Sequence, residues 1–184
     1  MEEATIARDY TWPVKITTFD AGQDQRLTPA GQLRLQQEIG ELHMSTGGLG
    51  YQVLCDAGMA FLLTRTNSVV HRAPALNEEV ALRTWHRGTR GAQFYRCYEF
   101  LDKAGEKLIE SVTAFALVDV RDHRLLRPDA FEPYGLLTQP ERRNDCPDPV
   151  KWKQPDDMKP VGDHVVRWSE VDWNGHLNNT IYAN

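Results

Sequence analysis

The chain has 184 residues, of which 41% are hydrophobic and 26% charged, and its formal net charge is −5. These proportions are ordinary for a globular domain with a buried core. The negative charge argues against a nucleic-acid binder or a protein that docks on anionic membranes, because both need a cationic face. No run of 18 apolar residues is present, so the sequence predicts no membrane span.

The three cysteines, Cys55, Cys97 and Cys146, show neither CxxC spacing nor a neighbouring histidine cluster. We therefore expect no metal site and no cofactor, and we interpret these thiols as small buried or incidental side chains. An odd cysteine count is typical of a reducing compartment.

The N-terminus, residues 1–4, is acidic and lacks the apolar segment of a signal peptide. The sequence predicts a cytoplasmic location.

One strand and one helix are predicted in the first part of the chain. Apolar residues alternate in residues 10–19, as in a strand with one buried face. Thr28 and Pro29 then have the residue types of a helix N-cap and first helical position. Three apolar side chains at i, i+4 and i+7 give this helix one buried face: Leu35, Ile39 and Leu42. Glycines after residue 46 end it, and residues 51–56 predict a short second turn.

Four strand-like runs follow the helix. They cover residues 60–71, 79–87, 92–101 and 107–120. The third and fourth are joined by Asp102-Lys103-Ala104-Gly105, which is typical of a hairpin turn. One helix followed by an antiparallel meander packs best when the helix lies on the concave face of the twisted sheet. The sequence therefore predicts an α+β chain with the hotdog fold.

Seven of the ten prolines lie from Pro128 onward, and regular structure rarely survives such a density. We interpret residues 128–162 as a connector that packs on a surface, because it still carries aromatic and leucine side chains. After it, residues 163–168 again predict a strand, followed by a polar loop and a helix start. The predicted units are thus residues 1–127, the connector, and residues 163–184 as the beginning of a second unit.

Three polar residues stand at alternate positions of that loop: Asp172, Asn174 and His176. In an extended loop, alternate side chains face the same side. Histidine can exchange a proton near neutral pH, asparagine can hold water or a developing oxyanion, and aspartate can orient the imidazole. The alternative is an ordinary turn followed by an asparagine N-cap at Asn178 or Asn179, since these residue types also favour turns.

The run D-x-N-x-H-x-N-N-x-x-Y, from Asp172 to Tyr182, resembles the signature of plant and bacterial fatty acyl–acyl-carrier-protein (acyl-ACP) thioesterases. The Arg-Trp-Ser-Glu run before it, and the order of the predicted elements, are similar to that family too. The resemblance implies two hotdog units in one chain, of which the first shapes the acyl pocket and the second carries catalysis. It also implies hydrolysis of fatty acyl-ACP thioesters, with release of free fatty acid.

The same resemblance implies that Asp172, Asn174 and His176 are catalytic. The family also uses a downstream acidic residue, often with a neighbouring cysteine, and those positions would lie beyond Asn184. We therefore expect the chain to be truncated within its catalytic unit. Two alternatives stay open, namely an acyl-CoA thioesterase of the same fold and a non-catalytic module that binds acyl groups.

Candidate substrate-binding residues lie near the predicted helix and the strand after it: Met44, Met59 and Phe61. Flexible methionines suit a pocket for a variable acyl tail, although plain core packing explains them as well.

The partner that the resemblance implies is acyl carrier protein, which is acidic. Two arginine groups could dock it: Arg83, Arg87, Arg90 and Arg96, and then Arg121, Arg124 and Arg127. The alternative is that these arginines lie at a sheet edge, where their charge prevents pairing with another chain. No nucleic-acid partner is predicted, and the oligomeric state, including a homodimer, stays open.

Overall fold

A computed structural model describes residues 6–172 and 175–183 of the chain. Its regular elements are β1 (Asp9–Lys15), α1 (Pro29–Ser45), α2 (Tyr51–Asp56), β2 (Met59–Val70), β3 (Glu79–Arg90), β4 (Gln93–Leu101) and β5 (Lys107–Asp119). Three 3₁₀ helices follow, at Pro128–Tyr134, Trp168–Glu170 and Asn179–Ala183. In the part of the chain so described, no helix is both long and apolar enough to cross a membrane.

The five strands form one antiparallel sheet in the order β1-β3-β4-β5-β2. Because side chains alternate along a strand, β4 presents Phe94, Arg96 and Tyr98 on the face toward α1. Tyr95 and Cys97 lie on the opposite face. We call these the inner and outer faces. The five strands predicted between residues 10 and 120 and the single long helix are confirmed, with shifts of a few residues at their ends.

Helix α1 starts as the sequence predicts. The hydroxyl of Thr28 accepts a hydrogen bond from the Gly31 N–H at 3.0 Å, and Pro29 is the first helical residue. Gly31 is required by close approach, because a Cβ atom there would lie 2.4 Å from the Asp20 carbonyl oxygen. Leu35 and Ile39 then pack on the inner face of the sheet. The helix is thereby fixed across β3, β4 and β5.

A second, aromatic core closes the end of the sheet beyond α1. Phe131 of the connector is 1% exposed. Its ring centroid lies 5.1 Å from that of Phe61, 6.0 Å from that of Phe94 and 5.1 Å from that of Tyr134. The first 3₁₀ helix of the connector is thus part of the core of the sheet unit.

The connector then crosses the outer face of the sheet. The Arg142 guanidinium lies 4.1 Å from the centroid of the Trp85 ring, whose indole N–H donates to the Arg142 carbonyl at 3.1 Å. Asn144 donates to the carbonyl oxygens of Tyr98 and Ser111. Cys146 is buried against the same face. The prediction that the connector packs on a surface is confirmed for this part.

Residues 150–169 lie outside both cores. All of them are exposed, including Trp152 at 68%, so the prediction that the connector packs on a surface is wrong for residues 150–162. The strand predicted for residues 163–168 is also wrong: this segment is irregular until the 3₁₀ helix at Trp168–Glu170. A strand needs a neighbour for its backbone hydrogen bonds, and the five-stranded sheet provides none here. Val165 is accordingly 81% exposed.

Candidate active site

A cavity of about 300 Å³ lies between α1 and the inner face of the sheet. This volume is at the lower end of the roughly 300–1,000 Å³ typical of small-molecule sites. Its apolar lining comes from α1, the α2 region and three strands: Met44, Leu49, Leu54, Phe61, Phe94 and Phe115. The cavity therefore offers an apolar surface of the kind that an acyl chain fills.

The three residues predicted to contact the acyl group lie at or beside this cavity. Met44 and Phe61 line it. Met59, at the start of β2, is buried in the aromatic core and is not among the lining residues. Contact of all three with a substrate stays a prediction.

One wall of the cavity is polar and is built around Arg96, which is 4% exposed. Its guanidinium donates to His43 Nδ1 at 2.9 Å, to Thr84 Oγ1 at 3.2 Å and to His86 Nε2 at 2.5 Å. His43 Nε2 lies 2.6 Å from the Ala7 carbonyl oxygen. Because a guanidinium can only donate, the ring nitrogen of each histidine that faces Arg96 carries no proton, so both histidines are neutral. Because a carbonyl can only accept, the proton of His43 is on Nε2.

Burial and the nearby Arg96 charge lower the pKa of His43 to about 4. The pKa of His86 is lowered well below its ordinary value by burial, by Arg96 and by His43. Both rings therefore stay uncharged at neutral pH, and they solvate the buried guanidinium as acceptors.

Residues near the end of the described chain contribute to the cavity lining. The 3₁₀ helix at Asn179–Ala183 packs against α1, and Asn179, Thr180 and Asp172 line the cavity. The Asn178 carboxamide oxygen accepts from the Thr180 N–H at 2.9 Å and from its hydroxyl at 2.7 Å, so Asn178 caps this helix. Asp172 lies near Tyr51, whose pKa is raised to about 12 by burial, by Cys55 and by the Asp172 charge.

The motif segment is not the extended loop that the sequence predicts. The Asp172 N–H donates to the His176 carbonyl at 2.8 Å, and the Gly175 N–H donates to the Asp172 carbonyl at 2.9 Å. Gly175 has a φ of +77°, which favours glycine. Asp172 is half-buried and lines the cavity, whereas His176 is exposed and does not line it. Asn174 lies outside the described residues.

Residues 7–133 match the family profile of the acyl-ACP thioesterase N-terminal domain. The chain belongs to the acyl-ACP thioesterase family. It is 24% identical to a chloroplastic palmitoyl-acyl carrier protein thioesterase of Gossypium hirsutum. That similarity covers 91% of this chain but only 43% of the cotton protein. The chain thus spans less than half the length of this curated relative.

Solved acyl-ACP thioesterase structures confirm the hotdog fold. The chain superposes on the enzyme of Bacteroides thetaiotaomicron with a TM-score of 0.81 and 19% identity, covering 95% of this chain and 70% of the other. The 12:0-ACP thioesterase of Umbellularia californica gives a TM-score of 0.73 and 20% identity, with 96% and 72% covered. At such identities the likeness concerns the fold alone.

The first arginine group predicted to dock a partner does not form one surface in this acyl-ACP thioesterase chain. Arg83 pairs with Glu99 at 3.8 Å, and Arg87 pairs with Asp148 of the connector at 2.5 Å. Arg96 faces the cavity on the other side of the sheet. Neighbours along a strand alternate between faces, and the bulge between His86 and Gly88 shifts the register further. The second group, in residues 121–127, is exposed.

The polar wall was missed by the sequence analysis. One signal for it exists, since Arg96 alternates with Phe94 and Tyr98 and must share their face. The histidines gave no such signal, because His43 and His86 lie on different elements.

The neutral histidines predict a pH-dependent stability. Since the folded pKa of His43, about 4, lies below its ordinary value, the unfolded state binds the proton first. Stability is full above about pH 6.5 and falls as the pH is lowered toward about 4, by roughly 1.4 kcal/mol for each pH unit, or about 3 kcal/mol in all. Urea unfolding between about pH 6.5 and 5 measures this slope above the range of most carboxyl groups.

His43→Gln should flatten this slope, although the remaining contribution of His86 has the same sign. His123→Asn is the matched control. It replaces an exposed histidine in a turn, at a positive φ of 58° that asparagine tolerates. An unchanged slope in His43→Gln would contradict the assignment of a buried neutral His43.

Proposed function

We propose that this chain is the acyl-binding half, with the first part of the catalytic half, of an enzyme that hydrolyses fatty acyl-ACP thioesters and releases free fatty acid. The observation that carries the proposal is the apolar cavity under α1, whose lining includes Asp172 of the motif segment. An acyl chain in this cavity would have its thioester next to the motif.

The roles of the pocket unit and the catalytic unit follow from where their elements lie. The sheet and α1 form the pocket unit, for which we keep the boundary at residue 127. We place the beginning of the catalytic unit at residues 163–184, because the helix at Asn179–Ala183 packs on α1 and not within the sheet. The exposure of residues 150–169 supports this division, since a second sheet would give the segment a surface on which to pack.

The proposed chemistry is attack of water on the thioester carbonyl carbon. His176 removes a proton from the water, the carbon–sulfur bond breaks, and the thiolate of the carrier takes up a proton as it leaves. Asn174 positions the water or donates to the oxyanion, and Asp172 orients or assists the imidazole. Since Asp172 already lines the cavity, we place the thioester of the bound acyl group next to its carboxylate.

Acyl carrier protein is the proposed partner, and the curated relative is named for such a substrate. We place its docking at the exposed turn after β5, where Arg121, Arg124 and Arg127 lie together. Arg121 reaches toward Gly58 at the end of α2, so this turn adjoins the elements that line the cavity. A cationic surface there would complement an acidic carrier. The cytoplasmic location and a role in fatty acid biosynthesis stay predictions.

The test is a comparison of hydrolysis rates for one acyl chain carried by ACP and by CoA, measured with the protein that contains this chain. The proposal expects a higher kcat/KM on ACP. Equal or faster hydrolysis of acyl-CoA would favour the acyl-CoA alternative. Acyl binding without hydrolysis of either carrier would favour the non-catalytic module.

A further inference from the structure

The cavity wall contains the buried positive charge of Arg96, and the lining also includes three acidic residues: Glu38, Glu41 and Asp172. Arg96 has three hydrogen-bond partners, and all three are neutral side chains. Among residues 6–172 and 175–183, no Asp or Glu forms an ion pair with it. A buried charge without a counter-ion is costly, so a site of this kind favours an anion or a strong hydrogen-bond acceptor.

Other polar groups of the same wall have unused hydrogen-bonding capacity. Gln36 is 3% exposed and lines the cavity, and its carboxamide oxygen is buried without a partner in the described residues. Within that same part of the chain, neither the Tyr98 hydroxyl nor His86 Nδ1 has a hydrogen-bond partner, and both residues line the cavity. The Tyr98 hydroxyl and the His86 Nδ1–H can donate to a ligand oxygen, whereas the Gln36 oxygen can only accept and therefore pairs with a ligand donor or with water.

A purely structural role explains only part of this cluster. Arg96, His43 and His86 do connect α1, β3 and β4. A structural clamp would be expected to face the packed core, with its groups fully bonded. Arg96 and His86 instead border an open volume, and Gln36, whose oxygen is unpaired in the described residues, lines it too.

We infer that the cavity takes an acyl chain whose far end carries an oxygen acceptor, preferably a carboxylate, and that Arg96 binds this oxygen. This rests on the proposed function for one point, namely that the thioester end lies at Asp172.

Three neutral-headed ligands of equal length test the inference by calorimetric titration of this chain. They are octanoic acid N-ethylamide, ω-hydroxyoctanoic acid N-ethylamide and suberic acid mono-N-ethylamide. The amide replaces the thioester and cannot be hydrolysed under these conditions. The carboxylate-ended amide is expected to bind about tenfold or more tightly than the methyl-ended one, with the hydroxyl-ended amide between them. Equal affinities for the three, or tightest binding of the methyl-ended amide, would overturn the inference.

Two variants test whether the preference for the carboxylate-ended amide depends on Arg96. Arg96→Gln keeps a hydrogen-bond donor but removes the charge, and it should abolish the preference for the carboxylate-ended amide. Thr113→Asp is the second variant, for use if Arg96→Gln fails to fold. Thr113 pairs with Arg96 in the sheet register and lines the cavity, so the new carboxylate would neutralise the guanidinium in place. It should abolish the same preference, and a preference retained in a folded variant would contradict the role of Arg96.

Binding and hydrolysis separate this inference from the proposed function. An Arg96-dependent preference for the carboxylate-ended amide, without hydrolysis of any thioester, would support the inference and refute the enzyme. Hydrolysis of plain acyl-ACP, with no preference among the three amides, would support the enzyme and refute the inference.

Discussion

Replacing His176 by alanine is expected to lower kcat at least about a hundredfold in the active enzyme that contains this chain, because a positioned general base typically contributes 10²–10⁴ in rate. The imidazole is exposed and lies outside the cavity. Its loss should therefore leave the fold and the binding of the acyl chain nearly unchanged. The effect should appear in kcat, with KM little altered.

The matched control for this substitution is His71→Gln. His71 is also exposed, it lies directly after β2, outside the proposed docking turn, and it is not among the residues that line the cavity. Steady-state hydrolysis of acyl-ACP by the two variants, with circular dichroism to verify folding, makes the comparison. A loss below about threefold in folded His176→Ala would remove His176 from the mechanism, since general-base catalysis is worth far more.

Phe131→Ala is expected to cost about 3–5 kcal/mol of unfolding free energy, in the range found for buried Phe→Ala changes. Phe131 is 1% exposed, and its ring lies between those of Phe61, Phe94 and Tyr134. The side chain is the main apolar anchor of the first connector helix on the sheet unit. A domain of this size has only about 5–15 kcal/mol of stability, so much of it would be lost.

Leu137→Ala provides the control, because Leu137 belongs to the same connector but is 42% exposed. It should cost about 1 kcal/mol or less. Urea unfolding followed by tryptophan fluorescence measures both changes. Similar losses in the two variants would mean that Phe131 has no special part in joining the connector to the sheet.

Local chemistry explains which parts of the fold were predictable. The N-cap at Thr28 and the alternation along β5 act over a few residues, so the sequence pattern shows them directly. The segment before the motif was mispredicted for the same reason. Residues 163–168 have the alternation of a strand, but a strand also needs a partner, and local sequence carries no information about that partner.

The candidate site, too, was predicted only in part. The motif predicted three site residues, Asp172, Asn174 and His176. The structure brings Asp172 to the cavity, while His176 stays exposed. The positive φ of Gly175 and the hydrogen bonds between Asp172 and residues 175 and 176 decide this geometry. A pattern of alternate residues assumes an extended backbone, and a turn within the motif breaks that assumption.

By itself, the sequence determined the chain order of the helix and the five strands, and the family to which the motif belongs. Only the tertiary structure decided that Arg96, in the wall of the cavity, meets His43, which lies 53 positions away in the chain. Periodicity acts between neighbours and is therefore visible in a sequence. The charge balance of a cavity depends on which distant elements pack around it, and packing decides that only when the chain has folded.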